Sequence, residues 1–319
     1  MTATLEVKVV RKTCEAPNIH SFELADARGA PLPVFSAGAH IDVHLGGGLC
    51  RQYSLCNPPQ EAHRYEIAVL REQQSRGGSA AMHERVAVGD TVTIGAPRNL
   101  FPLHEGAAHS VLFAGGIGIT PMLAMAAHLA FTGASFALHY HGRSRERMAF
   151  LARIRDSAWA AQCQVHVDDE PDTQIDVAAM LSRRPPGTHC YVCGPAGYID
   201  AISAQAAKAG VAPEFLHVEH FSPVGSAQPG DGSFELTLAR SGLTFMVAGN
   251  ETVVDALARH GIEIETSCEQ GICGTCLTTV LEGEPDHRDR YLSKADQACG
   301  KVFLPCCSRA LSKRLVIDL

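Results

Sequence analysis

Residues 268–276 read Cys-Glu-Gln-Gly-Ile-Cys-Gly-Thr-Cys, which places Cys268, Cys273 and Cys276 in a C-x4-C-x2-C arrangement. This spacing matches the plant-type pattern of [2Fe–2S] ligands, which requires a fourth cysteine from a distant part of the chain. A tight loop can hold three thiolates around two irons while a separate strand supplies the last one. Gly271 and Gly274 allow the backbone to wrap closely and to direct N–H groups toward sulfur. The stretch therefore predicts an iron–sulfur module.

The alternatives for these cysteines are a zinc site and unligated buried thiols. Structural zinc usually takes paired C-x2-4-C knuckles, and only one such pair is present. Cys306 and Cys307 both lie downstream and are candidates for the fourth ligand, whereas Cys299 matches nothing in the pattern.

The cysteine stretch lies in a segment that follows a linker. Residues 222–233 read Ser-Pro-Val-Gly-Ser-Ala-Gln-Pro-Gly-Asp-Gly-Ser, which is a linker composition. Residues 234–240 and 244–247 predict a hairpin, and residues 253–260 predict a short helix. We therefore expect a linker over 223–233 and a separate domain over 234–319.

Upstream of the linker the hydrophobic period changes once. Residues 1–104 alternate at 5–10, 39–45, 65–70 and 90–94, with glycine and proline turns between, which predicts an antiparallel β-barrel. Residues 105–222 contain apolar strands at 110–114, 135–140, 164–167 and 189–192, and helical stretches that include 121–131, 148–154 and 198–209. Strands that alternate with helices predict a parallel α/β sheet.

The composition restricts the class of the protein further. Its 319 residues carry a net charge of −7, which disfavours a nucleic-acid or anionic-membrane partner. Residues 111–131 are apolar, but three glycines and a proline interrupt them, so a strand–loop–helix is favoured over a membrane span. The first ten residues show no basic region followed by an apolar block. We therefore expect a cytoplasmic protein, and among its 12 cysteines those that cluster are expected to be metal ligands or catalytic groups and not disulfides.

Residues 115–121, Gly-Gly-Ile-Gly-Ile-Thr-Pro, follow a predicted strand and precede a predicted helix. Thr120 is the expected N-cap and Pro121 the expected first helical residue. A helix N-terminus behind a glycine loop is a natural pyrophosphate site, although the full G-x-G-x-x-G fingerprint is not present. The segment predicts a dinucleotide site.

In their order along the chain these motifs resemble one known family. Residues 51–54, Arg-Gln-Tyr-Ser, resemble the R-x-Y-S of the ferredoxin reductase superfamily, and residues 115–121 resemble its G-G-x-G-x-T-P. The cysteine loop and residues 306–310, Cys-Cys-Ser-Arg-Ala, resemble the phthalate dioxygenase reductase and vanillate demethylase reductase family. This resemblance covers essentially the whole chain. It implies a flavin barrel, a nucleotide domain and an α+β β-grasp ferredoxin domain, with Cys306 as fourth ligand and Cys307 as the alternative.

The resemblance implies an FMN site on the barrel. Arginine donors and exposed backbone N–H groups suit the flavin phosphate, and the Ser54 hydroxyl would hydrogen-bond near flavin N5. FMN rather than FAD follows from the resemblance alone, because no residue rules out an adenylate extension. The implied flavin-contacting residues are Arg51, Tyr53, Ser54, Ala68, Val69, Leu70, Arg76, Gly77, Gly78, Ser79 and Phe221.

The resemblance also implies an NADH site, with Ser54, Thr120 and Cys193 as the residues assigned to catalysis. Cys193 is expected near the nicotinamide as a packing and positioning residue, not as a nucleophile. Arg143, Arg145 and Arg147 could bind a 2′-phosphate and favour NADPH, or they could form a solvated helix face. The implied nucleotide-contacting residues are Gly115, Gly116, Gly118, Thr120, Pro121, Arg143, Ser144, Cys193, Gly194 and Pro195.

The expected electron path runs from NADH to FMN, to the cluster and then to a partner. A nicotinamide gives two electrons at once and a cluster accepts one, so a flavin that holds zero, one or two joins them. The resemblance implies a separate Rieske-type oxygenase partner, and the chain has no C-x-H pair for a Rieske centre of its own. The alternatives are a stand-alone reductase of another soluble acceptor, and a non-enzymatic iron–sulfur sensor or carrier.

Overall fold

The alternating residues of the N-terminal part form a closed antiparallel sheet. The computed structural model describes residues 4–46, 49–72, 77–221, 230–266, 269, 271, 274–289 and 291–319. A bridge between Leu55 and Ile67 joins the two end strands and closes the sheet into the expected barrel. The strands pair in the order β4-β3-β6-β1-β2-β5, with β7 on β3. The elements are β1 (Thr4–Ala16), β2 (Ile19–Asp26), β3 (Ala39–His44), β4 (Cys50–Ser54), β5 (Tyr65–Leu70), α1 (Gly78–Arg85), β6 (Thr91–Gly95) and β7 (Arg98–Asn99).

The next elements form the expected parallel sheet, in the order β10-β9-β8-β11-β12. They are β8 (His109–Gly115), α2 (Ile119–Thr132), β9 (Phe136–Gly142), α3 (Leu151–Arg155), β10 (Cys163–Val167), α4 (Val177–Ser182), β11 (Thr188–Gly194), α5 (Ala196–Lys208) and β12 (Leu216–His220). The strand order reverses between β8 and β11, and ligands of open parallel sheets bind outside the carboxyl ends at such a switch point. The sequence pattern did not show α4 or β12.

The barrel and the parallel sheet share one apolar core. Helices α2 and α3 cover one face of the sheet, and the same buried cluster includes Ala16, Ile19, Cys56 and Ala68 from the barrel. Helices α4 and α5 cover the other face. Contacts divide the chain into two units, Met1–Phe221 and Ser222–Leu319, so the barrel and the parallel sheet belong to one unit. The narrower boundaries at 104 and at 222–233 stay predictions.

The second unit is a β-grasp, as expected. Its five-stranded sheet has the order β14-β13-β19-β15-β17, in which β13 and β19 run parallel, and a pair of short strands, β16 and β18, lies beside it. Helix α6 begins with a capping box between Thr252 and Asp255 and packs Val253, Ala256 and Leu257 into the core. The elements are β13 (Phe234–Leu238), β14 (Thr244–Val247), α6 (Val253–Arg259), β15 (Thr278–Glu282), β16 (Pro285–Asp286), α7 (Lys294–Cys299), β17 (Val302–Phe303), β18 (Arg309–Ala310) and β19 (Arg314–Ile317).

None of the helices in the part of the chain that the structure describes has the length and apolar character needed to span a bilayer.

Candidate functional site

The start of helix α1 and strand β4 carry the residues for which the resemblance predicts a flavin phosphate site. Gly77 has a φ of +89°, and a Cβ at Gly78 would collide with the side chain of Arg51. Only glycine at position 78 therefore lets the arginine pack against the beginning of α1, where the first N–H groups of a helix have no partner within the helix itself. Ser79 Oγ accepts a hydrogen bond of 3.1 Å from the Glu72 N–H. The fourth member of this turn, Arg76, lies outside the described residues.

Strand β5 presents alternate residues to two different environments. Ala68 is buried in the core that the barrel shares with the parallel sheet, and Leu70 packs against that core. Val69 points instead into the barrel core, and its carbonyl oxygen bonds to His83 Nε2 at 2.8 Å. On β4, Tyr53 packs partly against the barrel core, and burial raises its pKa. The structure thus places two of the ring-contacting candidates, Ala68 and Leu70, on the side of the barrel that faces the parallel sheet, whereas Val69 and Tyr53 pack against the barrel core.

The glycine loop after β8 lies against the end of β11. A short 3-10 turn covers Gly116–Gly118, with Gly116 at a φ of +54°. A Cβ at Gly118 would collide with the Cys193 carbonyl, and one at Gly115 would come within 2.7 Å of the Tyr198 ring. These glycines are required because the loop approaches the neighbouring strand and helix closely. The loop and the strand end together line the switch point of the sheet.

The predicted cap of the following helix is wrong. Helix α2 begins at Ile119 with Gly118 at its N-cap, so Thr120 and Pro121 are its second and third residues. Thr120 is buried, and its hydroxyl donates back to the Ile117 carbonyl at 3.1 Å instead of capping the helix. The reason is that the 3-10 turn runs directly into α2, so the chain is already helical before Thr120 is reached.

Three side chains from three elements meet where the barrel faces the carboxyl edge of the parallel sheet. Ser54, at the end of β4, donates to Glu219 Oε2 at 3.4 Å, and the Cys193 thiol lies 3.9 Å from the same oxygen. Burial raises the pKa of Glu219 to about 8, although the hydrogen bonds from Ser54 and Cys193 oppose this. Burial, together with the nearby carboxyl of Glu219, raises the pKa of the Cys193 thiol well above its usual value. Cys193 is therefore a neutral thiol near pH 7, and its role as a packing and positioning residue stays a prediction.

Glu219 is the residue of this site that sequence reasoning missed. It stands in the run Glu219-His220-Phe221, from which only Phe221 was expected to act. Phe221 follows β12 and packs partly against the shared core. In the sequence Glu219 is only one polar residue near a strand end. Its contact with Ser54 joins residues that lie 165 positions apart in the chain, so the local pattern does not reveal it.

The turn after β9 carries the candidates for the adenosine ribose. Arg143 is exposed and Ser144 is partly exposed, while Arg145 donates two hydrogen bonds of 2.6 Å to the carboxylate of Glu170. The Asp168 N–H donates to the Gly142 carbonyl at 2.9 Å, so the end of β10 lies directly beside this turn. One of the three arginines is therefore already neutralised by a carboxylate. On the other side of the site, Gly194 contacts Gly115 and Tyr198, and exposed Pro195 leads into α5.

In the second unit, Cys276, Cys306 and Cys307 are buried in one cluster with Leu304. The Cys306 side chain is hydrogen-bonded to those of Cys276 and Cys307 and to the Gly271 backbone. The Cys307 thiol lies 3.7 Å from the Leu304 carbonyl, and a Cβ at Gly271 would collide with it. Cys299 is exposed on α7. The predicted ligands Cys268 and Cys273 lie outside the described residues. The described thiols are soft sulfur donors that suit an iron–sulfur cluster.

Comparisons with known proteins agree with this arrangement. A family model of the 2Fe-2S iron-sulfur cluster binding domain matches residues 236–311. The chain is 49% identical over 316 residues to a vanillate O-demethylase oxidoreductase from Pseudomonas putida, covering 99% of this chain and 100% of that protein. It is 41% identical to a tetrachlorobenzoquinone reductase from Sphingobium chlorophenolicum, covering 99% and 98%.

The fold also has a counterpart among solved structures. The phthalate dioxygenase reductase, titled a modular structure for electron transfer from pyridine nucleotides to [2Fe-2S], matches with a TM-score of 0.80 and 37% identity. The match covers 99% of this chain and 98% of that one. The match therefore extends over the barrel, the parallel sheet and the second unit of this chain. This chain therefore belongs to the phthalate dioxygenase reductase and vanillate O-demethylase oxidoreductase family of iron–sulfur oxidoreductases.

Proposed function

We propose that this chain is the reductase component of a Rieske-type aromatic-ring oxygenase or demethylase, and that it passes electrons from NADH through FMN and a [2Fe–2S] cluster. The observation that carries the proposal is the meeting of Ser54, Cys193 and Glu219 between the barrel and the carboxyl edge of the parallel sheet. A flavin held by the barrel and a nicotinamide held by the sheet would face each other at this place.

The barrel residues fit an FMN. The Arg51 side chain packs against Gly78 at the start of α1, and a guanidinium beside the first turn of a helix suits a phosphate. Ala68 and Leu70 offer an apolar edge for the flavin ring. When bound, a flavin accepts a hydride and gives up its electrons one at a time.

The side chains around the proposed nicotinamide position are neutral near pH 7. With a pKa of about 8, Glu219 keeps its proton there, and one of its oxygens accepts from Ser54 Oγ and Cys193 Sγ. The Ser54 hydroxyl is thereby held in one orientation at the end of β4. The site thus orients its ligands through hydrogen bonds and close packing, without a nucleophile.

The turn after β9 supports NADH as the nucleotide. Glu170 neutralises Arg145, and Asp168 and Asp169 stand beside it at the end of β10. Carboxylates near an adenosine ribose accept its hydroxyl groups and repel a 2′-phosphate. Arg143 and Ser144 remain the candidates that contact the ribose.

The cluster would be held by Cys268, Cys273, Cys276 and Cys306. The contact between Cys306 and Cys276 supports Cys306 over Cys307 as the fourth ligand. Exposed Glu263 and Glu265 precede the cysteine loop and would favour docking to a basic surface on the oxygenase.

The experiment that tests the proposal is an anaerobic titration of the purified protein with NADH, followed by visible absorbance and electron paramagnetic resonance. Bleaching of a flavin band together with a rhombic [2Fe–2S]⁺ signal is expected. Bleaching without a cluster signal would overturn the cysteine assignment, and no bleaching would overturn the flavin and nucleotide assignments.

A second candidate is a stand-alone reductase of a soluble acceptor, which the likeness to a tetrachlorobenzoquinone reductase favours. The two candidates differ in what consumes the electrons. NADH oxidation that depends on an oxygenase and its aromatic substrate supports the first, and rapid quinone reduction without any protein partner supports the second.

A further inference from the structure

One arginine ties the two halves of the first unit together beside the proposed hydride-transfer site. Arg153, on α3 of the parallel-sheet half, donates from Nη1 to Glu66 Oε2 on β5 at 2.7 Å, and from Nη2 to the Cys56 carbonyl at 3.0 Å. The Glu66 side chain is only 7% exposed. The contact is therefore a largely buried, two-point attachment between the halves.

One of the two barrel residues that Arg153 contacts, Cys56, lies two positions after Ser54. Cys56 donates its N–H to the Glu66 carbonyl at 2.8 Å, and the Glu66 N–H donates to Asn57 Oδ1 at 2.9 Å. These bonds join the residues that follow β4 to strand β5. A displacement of Cys56 or Glu66 would therefore also displace Ser54, which lies two positions before Cys56. On the other side, the guanidinium lies over the ring of Phe150, which is buried in the shared core.

This geometry matters because the proposed site is assembled from both halves. Ser54 belongs to the barrel, whereas Cys193 and Glu219 belong to the parallel sheet, and their contacts are 3.4 and 3.9 Å long. Apolar packing between the halves is non-directional, but two hydrogen bonds from one planar guanidinium set both distance and angle.

We propose that Arg153 is a positioning residue for hydride transfer, which sets the barrel and the parallel sheet in the relative position that stacks a nicotinamide on a flavin. The inference rests on the proposed function. A displacement of about 1 Å between reacting groups can cost about 100-fold in rate, so a small loosening of this attachment has a large effect.

The substitution Arg153→Met tests the inference, with Arg155→Met as the matched control. Arg155 lies on the same helix, is exposed, and pairs with its neighbour Asp156. Loss of Arg153 does not leave Glu66 without a cation, because Arg64 lies 3.6 Å from the same oxygen. We therefore expect the variant to fold and to retain its flavin.

The readouts are anaerobic stopped-flow reduction by NADH and hydrogen exchange on flavin-free protein. We expect Arg153→Met to lower the limiting rate of flavin reduction by at least about 10-fold, with less than about 3-fold change in the Kd for NADH. Arg155→Met should stay within about 2-fold of wild type, and Arg153→Lys should recover part of the rate. Amide exchange over residues 54–57 should rise in Arg153→Met alone.

A limiting rate within about 2-fold of wild type in folded Arg153→Met would overturn the inference while leaving the proposed function intact. If that variant fails to fold, Glu66→Met removes the acceptor of the Nη1 bond and leaves only the bond to the Cys56 carbonyl. We expect a smaller loss of rate there, and an unchanged rate in that variant overturns the inference equally. A wild-type protein that NADH does not reduce overturns the proposed function, and the inference with it.

Discussion

The carboxyl group of Glu219 should make the first unit less stable as the pH rises toward 8. Its pKa is raised from 4.5 to about 8 because folding removes it from water. Below pH 4.5 both the folded and the unfolded chain keep the proton, so the full stability is present. Between pH 4.5 and 8 only the unfolded chain loses the proton, and unfolding becomes progressively easier.

The size of the effect follows from the width of that window. A rise of about 3.5 pH units, at about 1.36 kcal/mol each, sets an upper limit of about 5 kcal/mol in the free energy of unfolding. The Glu219 side chain keeps some exposure, so we expect about 3 kcal/mol. Glu219→Gln cannot ionise, so its free energy of unfolding should not fall in this way. Relative to wild type, the variant should therefore become more stable by about 3 kcal/mol between pH 5 and pH 8.

The assay is urea unfolding at pH 5, 6.5 and 8, followed by tryptophan fluorescence. Trp159 is the single tryptophan of the chain, and it is buried in the core of the first unit, so its signal reports that unit. Glu214→Gln is the control, because it removes a carboxyl group five positions away whose side chain is exposed in the folded protein. A difference between wild type and Glu219→Gln that is the same at pH 5 and pH 8 would refute the reasoning.

Four further predictions concern single positions. Gly118→Ala should destabilise the protein by about 1–3 kcal/mol, because the added methyl group would collide with the Cys193 carbonyl. Gly197→Ala is the control and should not destabilise it, since the space around Gly197 is open, and thermal unfolding measures both. Cys193 should resist iodoacetamide in the native protein while exposed Cys14 and Cys299 react, and mass spectrometry of the labelled peptides would contradict this by finding Cys193 modified. Cys306→Ser should abolish the cluster's paramagnetic signal and Cys307→Ser should keep it, so the reverse pattern would exchange their roles. Glu170→Gln should free the Arg145 guanidinium and raise the ratio of kcat/KM for NADPH to kcat/KM for NADH by up to about 5-fold at low salt, a size that suits an exposed ion pair. An unchanged ratio would exclude Arg145 from the ribose site.

Local chemistry made much of the architecture predictable. The period-2 pattern of the barrel, the alternation of strands and helices, and the hairpin before the cysteine loop all appear in the structure, because each reflects which side chains a short element must bury. The three-cysteine loop and the glycine loop each lie within ten residues, so the predictions of a cluster and of a dinucleotide site required no knowledge of tertiary contacts. The expected cap at Thr120 failed for the opposite reason, since a 3-10 turn ahead of the helix depends on contact with β11 and leaves no mark in the local pattern.

The sequence by itself determined the kinds of module in this protein and the order in which they follow one another. Motif spacing and hydrophobic period are local quantities, and a reader of the chain has them in full. Only the tertiary structure decided which side chains meet. Ser54 contacts Glu219 across 165 positions, and Arg153 reaches Cys56 across 97. These residues are ordinary polar side chains until folding removes them from water and brings them together, which raises the pKa of Glu219 and turns Arg153 into an attachment between two halves.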